Sequence, residues 1–269
     1  MPSTDTTPRS KYWVELSYDG HVLGGGLLIQ RGGVILTAAH CLRTLPAGED
    51  QLYATLGTGL KLKVRVDEIV DWDLALLVAV DPDECDVPPP CADACRSSDE
   101  WFAPYRPSIT DPHLNGHVLS EDCVYGLTGG TEVVALQLGV NQMLGNYSGY
   151  SGGPVEADPG GRRRLVGVLL EQYPDRTDPD RSSNVLFAAR IQQAIQRFRR
   201  FDMANLFPGG VPERPAPPRP DVDAAVESRL RKLREWRETE VISSRAAKAI
   251  ELRILQDWLR ATPLIDTDE

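Results

Sequence analysis

Leu60-Lys61-Leu62-Lys63-Val64-Arg65-Val66-Asp67 alternates apolar and charged side chains without a break. A period of two sends every second side chain to the same face of an extended chain, so the stretch predicts a half-buried strand with one wet face. The neighbouring runs carry the same message. Tyr12 to Tyr18 ends at Asp19-Gly20 and Val22 to Ile29 ends at Arg31-Gly32-Gly33, which reads as antiparallel strands joined by hairpins. Val34 to Leu36 and Leu74 to Val80 are more continuously apolar. Residues 81–112, rich in Pro, Asp and Cys, separate this set from a second one formed by His117 to Leu119, Val133 to Val140, Leu165 to Leu170 and Val185 to Ala189. The chain is therefore expected to be mainly β, with two β-units in succession.

The period changes at Arg190 to Phe201, where Ile191, Ala194, Ile195, Phe198 and Phe201 share one helical face and predict a helix that closes a β-domain over 12–205. Phe207-Pro208-Gly209-Gly210 and the prolines from Pro212 to Pro220 predict a semi-rigid linker over 206–220. Over 221–262 two stripes, Val226, Leu230, Leu233 with Trp236, and Ala246, Ala249, Ile250, Ile254 with Trp258, predict a helical hairpin, its second helix capped by Ser243 or Ser244. About forty residues bury too little surface to stand alone, so the hairpin is expected to self-associate, to pack on the β-domain or to bind a partner.

Composition narrows the functional classes. In 269 residues, 41% hydrophobic and 25% charged side chains describe a globular chain, and no apolar run reaches membrane-spanning length. Met1 to Lys11 is polar and lacks the apolar core of an export signal, so a cytoplasmic location is expected. A net charge of −10 argues against nucleic acid as a partner. Five cysteines, Cys41, Cys85, Cys91, Cys95 and Cys123, form an odd set that predicts reduced thiols over a disulfide framework. Cys85, Cys91 and Cys95 with His113 and His117 offer the donors zinc uses, but ligand pairs usually sit two to four residues apart, which favours ordinary thiols. His21, His113 and His117 are read as surface residues, and Arg162 to Arg164 as a solvated hairpin tip after Pro159-Gly160-Gly161.

Three motifs carry the chemistry: Leu36-Thr37-Ala38-Ala39-His40-Cys41, Asp71-Trp72-Asp73-Leu74-Ala75-Leu76 and Gly149-Tyr150-Ser151-Gly152-Gly153-Pro154. Together, and in the order His, Asp, Ser, they resemble the chymotrypsin-like serine peptidases over about residues 12–200. A serine hydroxyl is a poor nucleophile until a base takes its proton, and an imidazole does so near neutrality. The resemblance implies a double antiparallel β-barrel with a closing helix, Ser151 as nucleophile, His40 as general base, Asp73 as the carboxylate that orients His40, and the amides of Gly149 and Ser151 as the oxyanion hole. Asp73 fits the motif because it directly precedes the small apolar run, which leaves Asp71 as a loop carboxylate. The reaction calls for no metal and no cofactor.

Departures from the family matter as much. Secreted members pair the cysteine after the catalytic His with one on the preceding strand, and residues 12–39 hold none for Cys41, so a free thiol is expected. The position that in trypsin reads basic side chains is Gly145, so trypsin's specificity does not transfer. Glu171, on the strand matching the pocket wall, is a candidate acidic lining. Digestive relatives hold an Asp just before the nucleophile for a newly freed amino terminus; here that residue is Tyr150, which predicts activity without N-terminal trimming. The resemblance further implies a protein or peptide substrate and a dedicated partner such as a pore-forming effector in a bacterial conflict or signalling system, and because an indiscriminate cytoplasmic protease would be harmful, narrow specificity or control by a partner is expected. A catalytically silent binding protein and an esterase on the same fold are the alternatives, separable by serine-directed labelling and by parallel peptide and ester assays.

Overall fold

The structure, a computed structural model, describes residues 11–126, 132–158, 163–174, 182–198 and Leu206. Its first unit holds β1 (Trp13–Tyr18), β2 (His21–Gln30), β3 (Val34–Ala38), β4 (Gln51–Leu56), β5 (Lys61–Val70) and β6 (Leu74–Ala79). These close into an antiparallel barrel in the order β1-β2-β3-β6-β5-β4. Then follow β7 (Glu100–Phe102), β8 (Asn115–Gly126), β9 (Glu132–Val140), β10 (Pro154–Ala157), β11 (Arg164–Pro174), β12 (Ser182–Arg190) and the helix α1 (Ile191–Gln196). The second set closes as β10-β11-β12-β9-β8-β7. Closure pairs the strand edges that an open sheet would expose. The expected pair of barrels is present.

In β5, Leu62 and Val64 are wholly buried while Lys61, Lys63 and Arg65 face water, as the alternation requires. The pattern ends at a bulge between Val66 and Glu68, which face Leu77 and Leu76 of β6. The extra residue bends the strand around the barrel. Leu16, Leu27, Leu36, Leu56, Leu74 and Leu76 belong to the first core, and Trp101, Val118, Leu136, Leu138 and Val155 to the second. Trp101 satisfies its buried indole by donating to the Gly139 carbonyl at 2.9 Å. Between the barrels, the Tyr12 hydroxyl donates to Glu156 Oε1 at 2.7 Å. Burial, reinforced by the Glu156 carboxylate, lifts the Tyr12 phenol well above its ordinary range and keeps it the donor.

Three expectations need correction. Residues 81–112 are more than a separator: they contain β7, and Cys91 and Asp93 exchange backbone bonds with Leu165 of β11 at 3.0 Å. The prolines Pro88 to Pro90, without N–H groups, suit a strap that needs few internal bonds. The closing helix spans only Ile191–Gln196, although Ile191, Ala194, Ile195 and Phe198 are buried as its period implied; Phe201 lies outside the described residues. And β4, β7 and β10 are not among the expected strands, while β8 runs on through the polar Ser120-Glu121-Asp122. The chain divides between Pro212 and Glu213. The linker over 206–220, Leu206 apart, and the hairpin over 221–262 lie outside the described residues. No helix among the described residues is long and apolar enough to cross a membrane.

Candidate active site

Strand register brings the first two motifs together. Ala38 at the end of β3 pairs with Leu74 at the start of β6, so the residues just beyond this rung, His40 and Asp73, become neighbours across the barrel rim. The Ala39 amide donates to the Asp73 carbonyl at 2.8 Å, and a short 3-10 turn, Ala39–Leu42, presents the imidazole. Asp73 has a φ of 56°, a left-handed conformation that aspartate tolerates better than most side chains. Its buried carboxylate grips His40 twice: Oδ2 lies 2.5 Å from Nδ1, and Oδ1 accepts the His40 backbone N–H at 2.9 Å. Asp71 is exposed. Arg43 Nη2 stands 3.8 Å from Asp73 Oδ1 on a side chain that is 62% exposed, where screening leaves little attraction.

Burial pulls the imidazole's proton affinity down, but the hydrogen bond to Asp73, aided by Cys41, outweighs it and raises His40 from 6.5 to about 10. A carboxylate held against Nδ1 leaves Nε2 as the ring nitrogen that can exchange a proton.

Ser151 sits on a turn that docks backbone to backbone on the first barrel. The Gly25 amide of β2 donates to the Ser151 carbonyl at 2.8 Å, and Cys41 Sγ lies 3.5 Å from the same oxygen. Gly152 has a φ of 79°, and a Cβ there would meet the Gly25 carbonyl at 2.2 Å and Thr37 Oγ1 at 2.4 Å, so only glycine fits. The buried Thr37 hydroxyl donates to that Gly25 carbonyl at 2.7 Å. From the second barrel, Gly152 N–H donates to the Leu169 carbonyl at 2.8 Å and Leu169 N–H to the Gly153 carbonyl at 2.9 Å. Among the described residues, the amides of Gly149 and Ser151 donate to no protein acceptor. Among the described residues, no hydrogen bond within 3.5 Å joins the Ser151 hydroxyl to His40.

Tyr150 is buried and donates its hydroxyl to the Pro112 carbonyl at 2.7 Å. Burial pushes this phenol up to about 12, so the position stays neutral and offers no carboxylate to a terminal ammonium. Gly145 occupies a turn with a φ of 74°. Glu171 is engaged: Tyr125 donates to its Oε2 at 2.8 Å and stacks on Phe187 at 3.8 Å. Sequence reasoning missed Tyr147, whose amide donates to Gln172 Oε1 at 2.8 Å and whose hydroxyl donates to Asn184 Oδ1 at 2.7 Å, tying the segment before Ser151 to β11 and β12. Its place four residues before Ser151 was the available signal. All five cysteines are free, and no group of three or more His, Cys, Asp or Glu able to hold a metal occurs among the described residues. His113 Nδ1 lies 3.3 Å from the Ala103 carbonyl, and His21 and His117 are exposed.

A trypsin family model matches residues 3–82, the part of the chain that holds His40 and Asp73. No curated protein sequence matches the chain. Among solved structures, the HtrA-type protease AlgW with a decapeptide is similar at 18% identity and a TM-score of 0.53 over 69% of this chain; the match spans 62% of the AlgW chain. The MamO protease domain from Magnetospirillum magneticum is similar at 16% identity and a TM-score of 0.54, over 71% of this chain and 97% of that domain. With two six-stranded antiparallel barrels meeting at His40, Asp73 and Ser151, the chain has the chymotrypsin/trypsin-like serine peptidase fold.

Proposed function

We propose that the protein is a serine endopeptidase. The observation that carries the reading is the double grip of Asp73 on His40, at 2.5 and 2.9 Å, on the rim that faces the Ser151 turn. Ser151 Oγ attacks the substrate carbonyl carbon while its proton passes to His40 Nε2, and Asp73 steadies the imidazolium that forms. The carbonyl oxygen, now negative, accepts the unpaired N–H groups of Gly149 and Ser151, each worth about 3 kcal/mol in such a role. His40 then gives the proton to the departing amine as the C–N bond breaks. Water repeats the sequence on the acyl group and restores the serine. Every group comes from the chain itself.

The same reading extends to setting. Five unpaired thiols favour a reducing compartment, so the enzyme works in the cytoplasm. There it cuts a dedicated protein partner, such as a pore-forming effector of a bacterial conflict or signalling system, with the segment 221–262 as the handle for assembly. Neutral Tyr150 supports activity without N-terminal trimming. A digest of proteome-derived peptides by the full chain tests the activity and returns its specificity. New peptide termini that form with the parent and not with Ser151→Ala are expected; termini unaffected by that substitution contradict it.

A further inference from the structure

A groove of about 810 Å³ runs beside β1 and contains neither His40, Asp73 nor Ser151. One side is formed by Trp13 and Glu15, the other by the segment 103–114 that joins β7 to β8. Arg106, Arg163 and Arg164 all line it. Among the described residues, Arg31, Arg43, Arg65 and Arg190 each have an aspartate within 4 Å, whereas these three, like Arg96 and Arg197, make no ion pair. Arg106 donates only to the Asp111 carbonyl, at 3.2 Å. The Arg163 guanidinium carbon lies over the Phe102 ring, 4.4 Å from its centroid, a cation–π contact. In a chain of net charge −10, the three guanidinium groups outnumber the two carboxylates of this groove, Glu15 and Glu156, and leave its lining net positive.

The groove is also apolar. Ile109 is 82% exposed on its rim, and Pro104 and Pro107 lie beside it. A ligand that satisfies both features carries carboxylates and an apolar side chain. Glu15 and the buried Glu156 in the same groove repel an evenly charged phosphate backbone along its length, whereas a peptide can place its carboxylates on the arginines and neutral residues beside the glutamates.

Its position links it to the catalytic turn. Pro107 packs against Gly149, where an added Cβ would lie 2.9 Å from Pro107 Cγ, and Tyr150 hydrogen-bonds Pro112 of the same segment. The groove's wall is thus the support of the oxyanion turn. We propose that this groove docks an acidic segment of the protein substrate, its carboxylates on Arg106, Arg163 and Arg164 and an apolar side chain on Ile109 and Pro107. That the segment belongs to the substrate rests on the peptidase reading; that the groove binds it does not.

The test uses the full chain as Ser151→Ala, so that bound peptide survives, and follows fluorescence anisotropy of a labelled twelve-residue peptide with Asp and Glu around one Leu. Its Asn and Gln twin should bind about tenfold more weakly, and Arg163→Gln with Arg164→Gln should lose about tenfold for the acidic peptide. Arg31→Gln with Arg65→Gln should change nothing. Reversal by Arg163→Glu with Arg164→Glu should transfer the preference to a Lys-bearing peptide, a gain that misfolding cannot mimic. Equal affinity for the acidic and neutral peptides, undiminished binding by the Arg163 and Arg164 variant, or tighter binding of a single-stranded oligonucleotide would overturn the proposal. Acidic binding in a chain that fails serine-directed labelling would leave the groove standing and remove the peptidase.

Discussion

The two barrels supply one site by opposite means. The first delivers its parts already joined: β3 and β6 pair up to the rung beside His40 and Asp73, two hydrogen bonds of 2.5 and 2.9 Å lock those residues together, and Ala39 adds a third to the Asp73 carbonyl. The second delivers Ser151 on a turn whose carbonyls and glycine are pinned while its hydroxyl and two amides stay unengaged. His40, the proposed base, is therefore held by sheet register, and Ser151, the proposed nucleophile, by close backbone docking.

The largest test of this contrast removes the grip from the first barrel. Asp73→Asn should lower kcat by about 10⁴, because the amide favours the wrong imidazole tautomer. Asp71→Asn, on an exposed carboxylate, should stay within about twofold of the parent. Equal effects would dissolve the distinction between the two carboxylates.

The docking of the second barrel is broken at Gly152. Gly152→Ala should destabilise the fold by about 3 kcal/mol and cut turnover about 10²-fold, since the new methyl must displace the Gly25 carbonyl. Gly20→Ala has a similar φ, 77°, but nothing within 4 Å, and should cost only about 1 kcal/mol with turnover intact. Thermal melting and steady-state kinetics read both.

The pH profile sharpens the account of the base. His40 must be neutral to accept a proton, and its pKa is raised to about 10, so kcat/KM should climb from above pH 6.5 toward pH 10. The matching contribution to stability is complete below 6.5 and is lost as pH rises through about 10. Titration of the His40 ring by NMR should show a displacement that shrinks in Asp73→Asn. The smallest effect belongs to Arg43→Ala, which should change turnover by less than about twofold because that cation is mostly in water.

Much of this was legible along the chain because the signals are contiguous. The alternation from Leu60 to Val66 and the motifs around His40, Asp73 and Ser151 need only neighbouring residues. What stayed hidden is made by residues far apart. β7 is three residues in a stretch rich in Pro and Cys, and bulges after Val118 and before Cys123 erase the alternation of β8. The fit of Gly152 against Gly25, the support of Gly149 by Pro107 and the clasp of Tyr147 by Gln172 and Asn184 join positions that no local pattern connects. Asp73 was separable from Asp71 by the apolar run that follows it, a local trace of the β3–β6 register.

Ser151 is proposed to be a nucleophile activated by His40. Incubating the full chain with a fluorophosphonate and mapping the adduct by mass spectrometry tests it directly. A single adduct on Ser151 is expected, absent in Ser151→Ala and formed much more slowly in His40→Ala. An unlabelled protein, or labelling at Ser151 that His40→Ala does not slow, would contradict it.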